Sequence, residues 1–350
     1  FAMSVFTLLQ IALRYPKIKE VLGTGIKIGA IYTDVATLPR VGALFWDVNH
    51  YGAYLIFPIF IIIAYFFKVN KLKDQLYWLA ILGTVTLSLV LSQSRSALLG
   101  FTFGLVILAL IYFIKRFTYA FKLLGITAFI MLMLAFSAIN YLDYSFSYLI
   151  NKYGHLRLDS FNTHLTLVKG SSEILANHPL AGVGIGNFTS GYVETDFAAE
   201  QFKIEPGLIG QRVPTHTFWG ELIAESGIIG LIAYLIFIAY VLIALAMVID
   251  KENGNDYLVP ASLLAAFLGL NMAGLFYSYK LEFFWLYLFL CVLYTEYKCE
   301  SESLIASIID YSKLRINYIA YIIVGIISTF YIFIGLGANS FIDFDEAIYA

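Results

Sequence analysis

Residues 228–249 read IIGLIAYLIFIAYVLIALAMVI, with no charged side chain from end to end. An uncharged apolar run of about 17–25 residues crosses a bilayer as a helix. Working outward, similar runs predict spans near 51–67, 76–91, 97–114, 123–139, 258–277, 282–297 and 316–336. Residues 1–13 look like the tail of an earlier span. The runs do not alternate apolar with polar, so a β-barrel does not fit. The expected fold class is therefore all-α, a polytopic integral membrane helical bundle with one large extracytoplasmic loop between spans.

Composition agrees. The 350-residue chain is 60% hydrophobic and 13% charged, and its mean hydropathy is +0.81. Soluble domains run nearer 45–50% apolar and about 25% charged. Such a chain cannot cover its surface with polar groups, which excludes a cytosolic enzyme or a secreted scaffold. The formal net charge is -2 with no long basic run, so nucleic acid is not an expected partner. Cys291 falls in an apolar run and Cys299 just after it, so no disulfide framework is implied. We expect residues 1–350 to form a single membrane domain. Because Phe1 lies within an apolar segment, we expect it to be a fragment preceded by further spans.

Lysine and arginine set the orientation. Loops 68–75, 115–122, 250–256 and 298–315 hold 10 basic residues in 41 positions, against 12 in 136 for the loops between them. The first set is expected on the cytoplasmic side. The segment 14–50, the short turn at Arg95 and the loop 140–215 then share the outer face. The outer region 140–227 is expected to carry short helices. Its loop 140–215 holds three of the five histidines, and long ordered loops are usually functional.

Four outer-face features carry chemistry. In Ser92-Gln93-Ser94-Arg95-Ser96, Arg95 is either a snorkelling cation or a fixed fork for a phosphate. Arg157, in Tyr153-Gly154-His155-Leu156-Arg157, opens a predicted helix over 157–176; it is either a solvated charge or a second cation. Arg212 is a third candidate cation. His178-Pro179-Leu180-Ala181-Gly182-Val183-Gly184-Ile185-Gly186-Asn187 is either a tight turn or a nest of N–H groups able to hold an anion. In the stretch from Pro214 to Gly227, Thr215 is the expected N-cap and Gly227 the expected helix stop. His216 would then lie in the first helical turn, with open space beside it at Gly220. A helix N-terminus disfavours imidazolium, which suits a neutral general base. A merely solvated interfacial histidine is the alternative. His155, His164, His178 and His216 lack metal-ligand spacing, and the loop acids are dispersed, so no metal is expected.

The order of these features resembles the O-antigen ligase and polymerase family of bacterial envelopes (the Wzy-C/WaaL type). The resemblance rests on Ser94-Arg95, on Arg157, and on the stretch His178–Asn187. It continues through His216-Thr217-Phe218-Trp219, Leu222 and Glu225-Ser226-Gly227-Ile228-Ile229-Gly230, and Asp47-Val48-Asn49 looks like the family's Asp-Pro-Asn. It covers roughly residues 40–300. Thr217 stands where the family has Asn, and Val48 where it has Pro.

The resemblance implies a multi-pass protein of the bacterial inner membrane whose active site faces the periplasm. The donor would be a glycan on undecaprenyl diphosphate. The acceptor would be a hydroxyl of a lipid-linked repeat unit or of the lipid A core. Transfer would be inverting and would need neither metal nor other cofactor. Arg95 and Arg157 would clamp the diphosphate, His216 would be the base, and Arg212, Gly184, Gly186, Asn187 and Asn49 would bind substrate. A polymerase is the expected activity and a ligase the alternative. A lipid-linked sugar flippase is the alternative of another class, but transporters keep polar sites near the bilayer midplane, whereas here they gather in outer loops.

Overall fold

In lipid, a chain must close its own backbone hydrogen bonds, and apolar runs do so as helices. The computed structural model describes residues 2–13, 31–32, 40–45, 47–125, 127, 165–204, 210, 215–252, 254–278 and 282–299. The first described elements are α1 (Ala2–Leu13) and a two-residue antiparallel pair, β1 (Ile31–Tyr32) with β2 (Arg40–Val41). Then come α2 (Val48–Lys68), α3 (Leu72–Leu91), α4 (Arg95–Lys115) and α5 (117–125). After α6 (165–177) follow α7 (Phe188–Val193), α8 (Asp196–Ile204), α9 (Phe218–Lys251), α10 (Leu258–Ala273) and α11 (Glu282–Cys299). Apart from the short β1–β2 pair the described elements are all helices, and the protein is a multi-pass helical membrane protein: α2, α3, α4 and α9 are each long and apolar enough to span a bilayer. The expected span 316–336, and all of the expected span 123–139 but residues 123–125 and 127, lie outside the described residues.

The chain divides into two compact units, Phe1–Leu158 with Leu245–Val292 and Asp159–Ala244 with Leu293–Ala350. In the first unit α2 is buried on almost every side, and α4 packs against α10 through small residues. A Cβ added at Gly100 would lie 2.3 Å from the carbonyl oxygen of Gly269, and one at Gly104 would lie 2.7 Å from that of Ala265. The stripes Gly100-x-x-x-Gly104 and Ala265-x-x-x-Gly269-x-x-x-Ala273 let the two backbones touch, as small residues do between membrane helices. The small-residue stripes are visible in the sequence, but which helix each one faces is not. α10 stops at Ala273, short of the expected 277, with Gly274 at its C-cap.

The loops of this unit separate to two ends. At one, Lys68 pairs with Asp256 at 3.4 Å and Lys115 with Asp250 at 3.6 Å. Tyr119 Oη donates to Asn255 Oδ1 at 2.8 Å, and Arg116 donates to the same oxygen at 3.3 Å. This is the end that carries the lysine- and arginine-rich loops 68–75, 115–122 and 250–256. At the other lie the start of α2, the turn 92–96 and the end of α10.

The second unit has its own core. Leu167, Ile174, Phe188, Tyr192, Ala198 and Ala224 are buried together, with Val183 and Phe202 against them. Part of the large loop is thus folded: α6, α7 and α8 share one apolar cluster with the start of α9.

Candidate active site

The end of the first unit opposite its lysine-rich loops is built from two capped helices. Asp47 is the N-cap of α2; its Oδ1 accepts from the Asn49 N–H at 2.5 Å and from the His50 N–H at 3.1 Å. Val48 occupies the first helical position, where a proline is equally accommodated, so losing the family's Pro leaves the cap intact. Asn49 is half-buried beside that cap. The His50 ring sits 3.3 Å from the Ser278 carbonyl oxygen and edge-on to Tyr277.

Ser94 caps α4, its Oγ accepting from the Ala97 N–H at 3.4 Å and lying 3.2 Å from Ser96 Oγ. Ser92 Oγ donates to the Leu89 carbonyl at 2.6 Å and accepts from the Ser94 N–H at 3.3 Å. Gln93 has a left-handed backbone, φ 50°. Gly52 of α2 supports the turn from beneath: a Cβ there would lie 2.8 Å from Ser94 Cβ and 2.9 Å from Ser92 Oγ.

These hydroxyls hold the turn, and Arg95 projects from the first position of α4, exposed. A cation there opposes the positive end of the helix dipole. No acid stands in the first turn of α4, and no described residue hydrogen-bonds or ion-pairs with Arg95. The arginine and the helix terminus therefore form one electropositive spot, suited to an anion.

In the second unit the glycine stretch and the helix break are one device. Gly227 has φ 62° and ψ −160° and interrupts α9. In an unbroken helix the Ile228 and Ile229 N–H groups would bond to Ala224 and Glu225. They donate instead to the carbonyls of Pro179 at 2.9 Å and Leu180 at 3.2 Å. The freed carbonyls of Ala224 and Glu225 accept from the Val183 N–H at 3.0 Å and the Gly184 N–H at 2.9 Å. The break thus exchanges two helical bonds for four across the loop. Only glycine fits at the crossing, since a Cβ at 182 would lie 2.4 Å from the Ala224 carbonyl oxygen.

Of the two readings of this stretch, the geometry favours the tight turn. The N–H groups of Gly182, Val183, Gly184 and Asn187 are all taken by chain carbonyls. Asn187 Nδ2 donates to the Val183 carbonyl at 3.2 Å, closing its own loop. Gly184 and Gly186 have left-handed backbones, φ 91° and 76°. Buried Glu225 ties the device to α7 through the Phe188 N–H, at 3.3 Å.

His216 departs from the expected position. Thr217, not Thr215, stands at the helix cap: its carbonyl accepts from the Glu221 N–H at 3.1 Å and its Oγ1 from the Gly220 N–H at 3.4 Å. Thr215 Oγ1 folds back to donate to the Thr217 carbonyl at 2.8 Å. His216 therefore precedes α9, half-buried between two buried threonines, with a left-handed backbone of φ 52°. The departure from the family's Asn becomes understandable, because threonine also caps. Gly220 does not open space beside the ring. A Cβ there would meet Thr217 Cγ2 at 2.5 Å and Ser171 Oγ at 2.9 Å, so this glycine admits α6. Arg157, Arg212, His155 and His164 lie outside the described residues.

Residues 76–235 match the O-antigen ligase family, Wzy_C. The match takes in Arg95, Arg157, the glycine stretch, Arg212 and His216, and leaves Asn49 outside. No curated protein matches the chain.

Proposed function

We propose that the protein is a lipid-linked glycan polymerase, a glycosyltransferase that extends a glycan held on undecaprenyl diphosphate at the outer face of the bacterial inner membrane. The family match supports the ligase and polymerase chemistry in general. The observation that carries the assignment of a base is His216. It is held in a strained left-handed backbone at the head of α9, the helix that breaks at Gly227 immediately before the uncharged run 228–249. Strain of this kind costs about 1–3 kcal/mol and tends to persist where a site requires it.

The reaction needs three things. An acceptor hydroxyl must lose its proton, and His216 takes it, beside the start of α9 where the helix dipole disfavours a resident cation. The acceptor oxygen then bonds to the anomeric carbon as the bond from that carbon to the diphosphate oxygen breaks, and the configuration inverts. The electron pair leaves with the diphosphate, whose charge calls for cations. Arg95 supplies one, on a helix terminus already electropositive, and Arg157 the second. Arg212, Asn49, Asn187, Gly184 and Gly186 are assigned to substrate contact, the glycines by shaping the loop. None of these roles calls for a metal or other cofactor.

A ligase would use the same chemistry with lipid A core as acceptor. The test is turnover by the full-length protein in liposomes carrying a lipid-linked repeat unit, with products resolved on a gel. A ladder that disappears with His216→Ala supports the polymerase and its base. A product formed only when lipid A core is added supports the ligase. Full activity in Arg157→Ala would overturn the diphosphate clamp.

A further inference from the structure

The basic end of the first unit carries a cavity that the proposed chemistry does not use. It measures about 360 Å³ and is walled by Phe66, Phe67, Leu79 and Tyr119, with Lys122, Asn70 and Gln75 among its polar lining. Its apolar wall comes from the end of α2 and the second turn of α3, at the edge of the spans. Its polar wall comes from the connecting loop and from α5. The site is therefore amphiphilic in the direction a membrane is.

The charge around it is unbalanced. Lys68 and Lys115 are neutralised by Asp256 and Asp250. Lys71, Lys73, Arg116 and Lys122 have no acidic partner among the described residues, and Asp74 is the one acid within 66–125. Lys122 lines the cavity beside Tyr119, its Nζ 5.8 Å from the centre of that ring, and Arg116 lies 5.6 Å from the same ring centre. Lys122, a cation without an acidic partner among the described residues, beside an apolar groove at the membrane edge fits a lipid with a negative headgroup. The cytoplasmic leaflet, where the charge count places this end, is the anionic one.

We infer that this cavity binds one anionic phospholipid, with its phosphate on Lys122 and an acyl chain against Phe66, Phe67 and Leu79. Two variants separate the charge from the groove. Lys122→Ala removes the cation at the rim. Gly125→Leu fills the groove with every charge in place; a Cβ at Gly125 meets nothing within 4 Å, so the helix accepts it.

The experiment is native mass spectrometry of the full chain in detergent, titrated with phosphatidylglycerol or with phosphatidylcholine. We expect one retained phosphatidylglycerol at concentrations where phosphatidylcholine is not retained. Lys122→Ala should weaken it about fivefold, the effect of one lysine at a lipid surface. Gly125→Leu should weaken it at least as much, and Lys169→Ala, in the other unit, should not. Equal retention of both lipids, parent-like binding by either variant, or complete displacement by inorganic phosphate would overturn the inference. The readout is bound lipid rather than turnover, so it stands or falls apart from the glycosyltransferase reading.

Discussion

Gly227→Ala should damage the second unit more than any other single methyl group discussed here. At φ 62° and ψ −160° the backbone lies where alanine rarely goes, a cost of about 1–3 kcal/mol. The added Cβ would also lie 2.5 Å from the Leu180 carbonyl oxygen and 2.7 Å from the Gly182 nitrogen. Both are backbone atoms, so neither can swing away. The loop must retreat and loosen the four exchanged hydrogen bonds, each worth about 1 kcal/mol. If two are lost, the total is about 3–5 kcal/mol, a large part of the ~5–15 kcal/mol that holds a typical protein folded. Gly254→Ala is the control: φ is 66° there but the Cβ meets nothing within 4 Å, so it carries about 1–2 kcal/mol of backbone strain alone. The assay is denaturant unfolding of the purified full chain, with amide hydrogen exchange read at residues 179–184 and 224–229. Gly227→Ala should unfold at least about 2 kcal/mol earlier than Gly254→Ala, with faster exchange at Val183 and Gly184. Equal midpoints, or unchanged exchange at those two amides, would refute the exchange of helical for loop bonds.

Three further outcomes are expected. Thr217→Ala should cost about 1 kcal/mol of stability through the lost cap while Thr217→Asn costs little; equal unfolding midpoints for the two would contradict the cap. His216→Gly should relieve the left-handed strain and hold stability within about 1 kcal/mol of the parent while the product ladder disappears; a stable variant that still polymerises would show that the residue is structural. Gly52→Ala should force Ser92 and Ser94 outward, at an overpacking cost of about 1–3 kcal/mol, and lower turnover per folded molecule; unchanged turnover would separate the Ser-Arg turn from the chemistry.

The spans were legible because hydropathy reports them directly, and α2, α3 and α4 begin within four residues of where the runs begin. The loops of the first unit fall at two ends because consecutive spans alternate in direction. What could not be read was pairing between distant segments. The sequence shows glycines at 182, 184 and 227 as separate breakers. Only the fold reveals that one supplies the carbonyls the other's amides need. The same limit misplaced His216. Thr215 and Thr217 are both sound caps, and the sequence does not display the packing around them, where Ser171 of α6 lies 2.9 Å from the place a Cβ at Gly220 would take, 49 positions away along the chain.

The crossing between the glycine loop and α9 is made almost entirely by main-chain atoms. The side chains of Leu180, Ala181 and Ile185 take no part in it and stand exposed. Those positions can therefore change from one descendant to another without disturbing the attachment. A lineage could retune what this rim touches while the turn beneath stays as it is.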